Sequence, residues 1–186
     1  MSSKSTKRNS CAAHAANPKL ASDMTAPGIV RQLHASLATH APEQIVSILQ
    51  EVGYAAGEGL YNSFAETNNP ADLDADMLGV TLSDFFQTGG WGSVTMTPVG
   101  TGAFAIDSTD WAEAEPGTAQ SPMCFFSAGM LADFLGRLSD ETVAVLEVEC
   151  RSRGDARCRF LSATPDVLER VYNDMTAGKN YEDALQ

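Results

Sequence analysis

Cys124, Cys150 and Cys158 fall, together with Glu147 and Glu149, inside the 35 residues CFFSAGMLADFLGRLSDETVAVLEVECRSRGDARC. Thiolates and carboxylates are the natural donors of a tetrahedral zinc site, so three cysteines and an acid in one stretch can close one. That possibility limits the fold, because the start of a helix and both ends of a hairpin must then meet at a single point. The competing reading is buried reduced cysteine, which packs as a small apolar residue. No C-x-x-C element is present to decide between them.

The rest of the chain supplies the elements to be pinned. Ile29, Val30, Leu33 and Leu37 recur at helical spacing. A second apolar stripe follows at Ile45, Ile48, Leu49, Val52, Ala56, Leu60 and Phe64, with Pro42 placed as its first helical residue. Gly53, Gly57 and Gly59 interrupt that helix. Each costs up to about 1 kcal/mol against alanine, so close packing on another backbone is the expected compensation. DLDADMLGVTLSDFFQTGG reads as a third helix, started in solvent by Asp72, Asp74 and Asp76 and closed by Gly89-Gly90.

The period then changes. GWGSVTMTPVG and GAFAIDST read as strands joined by a turn at Pro98 to Gly102. A polar loop, DWAEAEPGTAQ, leads to the helix PMCFFSAGMLADFLGRLSD. Two further strands flank a turn at Gly154-Asp155, and a last helix starts at Thr164-Pro165. Helices, hairpin, helix, hairpin, helix is an α+β order, with an antiparallel sheet built from two hairpins and packed with helices.

Net charge is −12, unevenly placed. Residues 1–26 hold Lys4, Lys7, Arg8 and Lys19 against Asp23, and read as a disordered basic tail. Residues 27–186 hold 8 basic and 23 acidic residues, a net of −15, and read as one ligand-binding domain. A domain this acidic does not suit nucleic acid, whose binding depends on neutralising phosphates. No apolar run approaches the roughly 20 residues of a membrane span, and no signal peptide is visible, so the expected compartment is cytoplasmic.

At the cysteines, strand geometry sets a difficulty. In a regular strand Glu147 and Cys150 point to opposite faces, and Ala144, Leu146, Val148 and Cys150 make the apolar one. A bulge near the strand end is needed for both to reach one ion. Glu149 shares the face of Glu147 and competes on pattern alone.

The same stretch resembles the 4-vinyl reductase domain family. The signature is a cysteine before an aromatic, glycine-bearing helix, an acid–cysteine strand end, a G-D turn, a cysteine and R/K-F. Gly129, Glu149-Cys150, Gly154-Asp155, Cys158 and Phe160 carry it. The resemblance implies a single small-molecule-binding α+β domain of the NO-signalling/Golgi-transport type, similar to sensor domains of phenol-responsive regulators. It implies a structural zinc on Cys124, Glu147, Cys150 and Cys158, which selects Glu147 over Glu149. It also implies a homodimer, a hydrophobic ligand, and an effector or reductase as partner protein. The phenol sensors hold the ligand hydroxyl with a histidine and a tryptophan. Here the histidines are His14, His34 and His40, all before the expected pocket, so phenol recognition does not carry over.

Residue type and position nominate Phe85, Phe86, Trp91, Phe104, Trp111, Phe125 and Val145 as pocket lining, with Trp111, in its polar loop, as the exposed or gating member. An apolar pocket of this kind suits an aromatic, isoprenoid or tetrapyrrole-like ligand. No Ser-His-Asp set and no dinucleotide fingerprint is legible, which favours binding over catalysis. The expected role is sensor or carrier. The alternatives are an accessory factor in (bacterio)chlorophyll vinyl reduction and a protein-interaction scaffold.

Overall fold

The computed structural model describes residues 25–186. The basic tail as far as Met24, with Cys11 and His14, lies outside the described residues, and so does the side chain of Asp76. Thr25 caps helix α1 (Ala26–His40) by accepting a hydrogen bond from Gly28 N at 3.3 Å. Helix α2 spans Ile45–Thr67 and α3 spans Ala75–Thr88. Asp74 caps α3, accepting from Met77 N at 2.8 Å, and Gly89-Gly90 ends it, with Gly90 at φ 79°. Pro42 does not open α2. Gln44 N bonds to Ala41 O, so a turn uses residues 41–44 and the helix begins at Ile45.

The sheet contains β1 (Thr95–Val99), β2 (Ala103–Ser108), β3 (Ala144–Glu149) and β4 (Cys158–Ala163), all antiparallel in the order β1-β2-β4-β3. Helix α4 (Phe125–Ser139) lies between the hairpins in sequence, and α5 (Pro165–Thr176) and α6 (Tyr181–Ala184) close the chain. The expected α+β class and two-hairpin sheet are borne out.

Alternation along the strands builds two cores. Ile106 and Phe160 pack with the aromatic side chains of α2, α3 and α4. Ala105, Leu161 and Ala163, on the opposite face, pack with Leu168 and Val171 of α5 and Leu185 beyond α6. The sheet is thus a middle layer, with the metal-type residues on the face toward α4. No helix among the described residues is long and apolar enough to cross a membrane.

The glycines of α2 are explained in part. A Cβ on Gly53 would lie 2.1 Å from Phe126 O, and one on Gly57 2.6 Å from Asp133 Cβ. Gly129 of α4 answers them, its added Cβ falling 2.1 Å from Gln50 O. Helices α2 and α4 therefore cross backbone to backbone. Gly59 meets nothing within 4 Å.

Candidate metal centre and ligand site

Cys124 sits at the N-cap of α4, Glu147 on β3, Cys150 just past its end, and Cys158 at the start of β4. One ligand atom from each lies within 4.8 Å of all the others, and all four residues are buried. The Cys124 sulfur is 3.9 Å from that of Cys150 and 4.0 Å from that of Cys158. Those separations are about twice the 2.05 Å or so of a disulfide bond, and the three cysteines are free.

The bulge that the strand pattern demands is present. Glu147 pairs with Phe160 and Glu149 with Arg159, so two steps on β3 match one on β4 and Val148 is the extra residue. Val148 and Glu149 leave the metal face, and Cys150 returns to it beside Cys158. Val148 packs in the α5 core. Glu149 takes Arg157 in a two-point pair at 2.9 and 3.0 Å and also accepts from the Tyr181 hydroxyl. It is therefore committed elsewhere, and Glu147 is the acid that joins the thiols. The turn is wound around Cys150: Asp155 accepts from Cys150 N at 2.7 Å, and Gly154 adopts φ 101°.

Glu147 shows what the cluster needs. Its Oε2 accepts from Cys124 N at 2.9 Å, but its buried Oε1 has no hydrogen-bond partner. An orphaned buried oxygen costs about 1–3 kcal/mol, more when charged. Burial and then the Cys150 sulfur push the Glu147 carboxyl up to about 8. An oxygen without a donor beside three sulfurs is the donor set that a cation satisfies, so the residues present can hold a metal ion.

The nominated pocket residues form a packed cluster more than a hollow. Phe86 and Trp111 meet edge to face at 5.6 Å, Trp91 stacks on Trp111 at 5.7 Å, and Phe85 stacks on Phe134 at 6.2 Å. Phe85, Phe125 and Val145 are half-buried at its margin. Phe104, two residues before Ile106, is 48% exposed and outside the cluster. Trp111 corrects the sequence reading: it is 0% exposed and donates its indole N–H to Ser127 Oγ at 2.8 Å. The loop around it is polar, but its ring fills the space between Phe86, Trp91 and Phe160.

Sequence reasoning missed Glu113. It is 6% exposed and accepts from Phe126 N at 3.2 Å, Ser127 N at 2.8 Å and the Ser127 hydroxyl. It thereby serves the free amides at the start of α4. Its position two residues after Trp111, before a helix with no Ser, Thr, Asp or Asn at the cap, was the available signal. Burial pushes its carboxyl from 4.5 up to about 7, against the Ser127 and Phe126 donors. The folded state therefore holds this proton more tightly than the unfolded chain. Stability from this group is full below about pH 4.5 and declines as pH rises through about 7, by about 3 kcal/mol in all. Urea unfolding of wild type and Glu113→Gln should give a stability difference that falls between about pH 5 and about pH 8. A difference that is flat with pH would assign the carboxyl an ordinary ionisation.

Fold and cluster together define a class: an α+β domain with a three-layer core and one buried Cys/Cys/Cys/Glu set. Residues 110–162 match the 4-vinyl reductase (V-4-R) domain, so the resemblance read from the sequence is shown over that stretch. Among solved structures, the chain is similar to the phenol-responsive sensory domain of the transcription activator PoxR, with 16% identity and a TM-score of 0.61, covering 82% of this chain and 81% of that one. It is also similar to trafficking protein particle complex subunit 3 from Naegleria fowleri, with 14% identity and a TM-score of 0.57, covering 78% and 95%. At these identities the likeness is one of fold. No curated protein matches the chain.

Proposed function

We propose that this protein binds a hydrophobic small molecule, as a sensor or carrier, at a site clamped by a structural zinc. The observation that carries the ligand reading is the fold. Its two solved likenesses were crystallised with phenol and with covalently bound palmitic acid, and here the same fold places an aromatic cluster directly on α4. The proposed lining is Phe85, Phe86, Trp91, Trp111, Phe125 and Val145. Phe104 is left out because it stands outside that cluster. The rings touch one another, so a ligand enters by parting them from the half-buried margin of Phe85, Phe125 and Val145.

Donor chemistry supports the zinc. Two sulfurs bound at about 2.3 Å in a tetrahedron lie about 3.8 Å apart, close to the 3.9 and 4.0 Å found. Four protein donors close the coordination sphere, which is the structural pattern. When bound, the ion supplies a cross-link. The chain's own residues orient it: Cys124 N–H holds Glu147 with Oε1 free, and Asp155 holds Cys150.

Native mass spectrometry of the purified protein, followed by solvent extraction, tests the ligand reading. A co-purifying aromatic or isoprenoid compound, lost in Val145→Trp, is the expected result. A pigment would make the protein an accessory factor handing a vinyl-bearing tetrapyrrole to a separate reductase. Persistent emptiness beside a tightly bound protein would make it a scaffold and overturn the proposal.

A further inference from the structure

A cleft of about 190 Å³ opens between α1 and the segment 112–123, well apart in chemistry from the aromatic cluster. Arg31, His34, Glu113, Thr118, Met123 and Ser152 are among the residues lining it, and none of the nominated aromatic residues is. Helix α1 is held across it by the lining residues themselves. Arg31 donates to Ala112 O, His34 Nε2 lies 3.2 Å from Met123 O, and the His34 ring stacks on Phe125 at 6.1 Å. The walls are therefore fixed.

The cleft offers two unlike handles. A guanidinium carries five N–H donors in a planar fork, and one nitrogen of Arg31 is engaged, by Ala112 O. Glu113 reaches the same cleft from inside, 6% exposed. Among the described residues no ion pair joins Arg31 to Glu113 or to any other acid. A cation and a carboxyl that share a cleft without neutralising each other are complementary to a molecule with an acidic end and a hydrogen-bond donor. The volume corresponds to about six waters at about 30 Å³ each, which suits a molecule of a few carbons. A phosphate dianion fits poorly, since Glu113 and Glu115 both line the space. A simple cation is disfavoured by Arg31.

We propose that this cleft is a second binding site, for a small organic acid bearing a hydroxyl or amino group. The carboxylate would lie on the Arg31 fork, where a two-point charge-assisted pair is the strong geometry, and the donor group on Glu113. The site uses neither the zinc nor the aromatic rings, so it stands or falls independently of the function proposed above. It also has a built-in reporter. Glu113 accepts from the Ser127 hydroxyl, and Ser127 Oγ accepts from the Trp111 indole N–H at 2.8 Å. A ligand that bonds Glu113 therefore alters the field at the Trp111 N–H, although that ring is fully buried.

The test is a titration of the full-length, ¹⁵N-labelled protein, followed at the Trp111 indole N–H and the amides of residues 112–119. L-Lactate and L-serine are the probes, with propionate (acid without donor) and propane-1,2-diol (donor without acid) as controls. Saturable shifts at roughly millimolar lactate or serine are expected, the affinity of a few polar contacts. Both controls should bind at least about fivefold more weakly. Arg31→Met should weaken lactate at least about tenfold. Because Arg31 also anchors α1, Ala35→Trp is the second variant. It fills the cleft from α1, leaves the anchor in place, and should abolish the shifts with the rest of the spectrum unchanged. Absence of saturable shifts with both acids would overturn the site. So would wild-type affinity in Ala35→Trp, or propionate binding as tightly as lactate.

Discussion

Cys150→Ser is expected to leave the domain without a cooperative unfolding transition, and chelation of the wild type should do the same. Cys150 joins three parts of the fold. It follows the end of β3, its amide is held by Asp155, and its sulfur meets that of Cys124 at the start of α4. Structural zinc contributes about 10–16 kcal/mol of apparent binding energy in small metal-dependent domains. Whole domains are stable by only about 5–15 kcal/mol. Loss of the ion would also strand the desolvated Glu147, and an uncompensated buried charge costs about 3–5 kcal/mol. The readout is tryptophan fluorescence against urea, because Trp91 and Trp111 are both buried in the core that α4 anchors. The folded signal should return on adding zinc to the chelated wild type and not to Cys150→Ser. Elemental analysis decides the premise: less than about half an equivalent of zinc in reduced protein would remove the ion from the account.

The metal face is readable from sequence because its constraint is chemical and local. Three cysteines over 35 residues can be brought to a point by one helix start and one hairpin, and they are. The period-2 pattern places Glu147 and Cys150 on opposite faces, which by itself makes a bulge a requirement. It does not say that Val148 is the bulged residue. Nor can it choose between Glu147 and Glu149, because a single inserted residue changes register without changing composition. The family resemblance makes that choice, and the Arg157 and Tyr181 contacts of Glu149 give its physical reason.

Trp111 and Glu113 are harder because their roles are nonlocal. The segment DWAEAEPGTAQ is polar, and polarity marks loops, so a solvent-facing tryptophan is the natural reading. Burial of that ring depends on Phe86, Trp91 and Phe160, up to 49 residues away in sequence. Burial of Glu113 depends on two free amides at the start of a helix that begins 12 residues later. Neither partnership has a periodic signature. The pocket aromatics show the same limit from the other side. Their type nominates both core and ligand lining, and only their mutual ring contacts show how tightly they fill the space.

Gly129→Ala and Gly53→Ala should each destabilise the domain by about 3 kcal/mol or more, whereas Gly59→Ala should stabilise it by up to about 1 kcal/mol. All three glycines interrupt helices at alanine-compatible backbone angles, so intrinsic propensity favours every substitution. Packing reverses the sign at two of them. An added Cβ at Gly129 meets Gln50 O at 2.1 Å and Tyr54 N at 2.8 Å, and one at Gly53 meets Phe126 O at 2.1 Å. These are backbone atoms of the facing helix, which cannot rotate away as a side-chain end can. The helices would have to separate along their whole crossing, and α4 carries Cys124 at its start and Phe126, Met130 and Phe134 in the core. Separation would therefore pull one corner of the metal cluster as well as open the apolar interior. At Gly59 nothing lies within 4 Å, so the lower unfolded-state entropy and better helix propensity of alanine act alone. Thermal unfolding of the three variants under one set of conditions is the measurement. A common sign for all three would mean that the α2–α4 crossing is looser than the glycines imply. Opposite signs, with Gly53→Ala also weakening metal retention, would tie the crossing and the cluster into one cooperative unit.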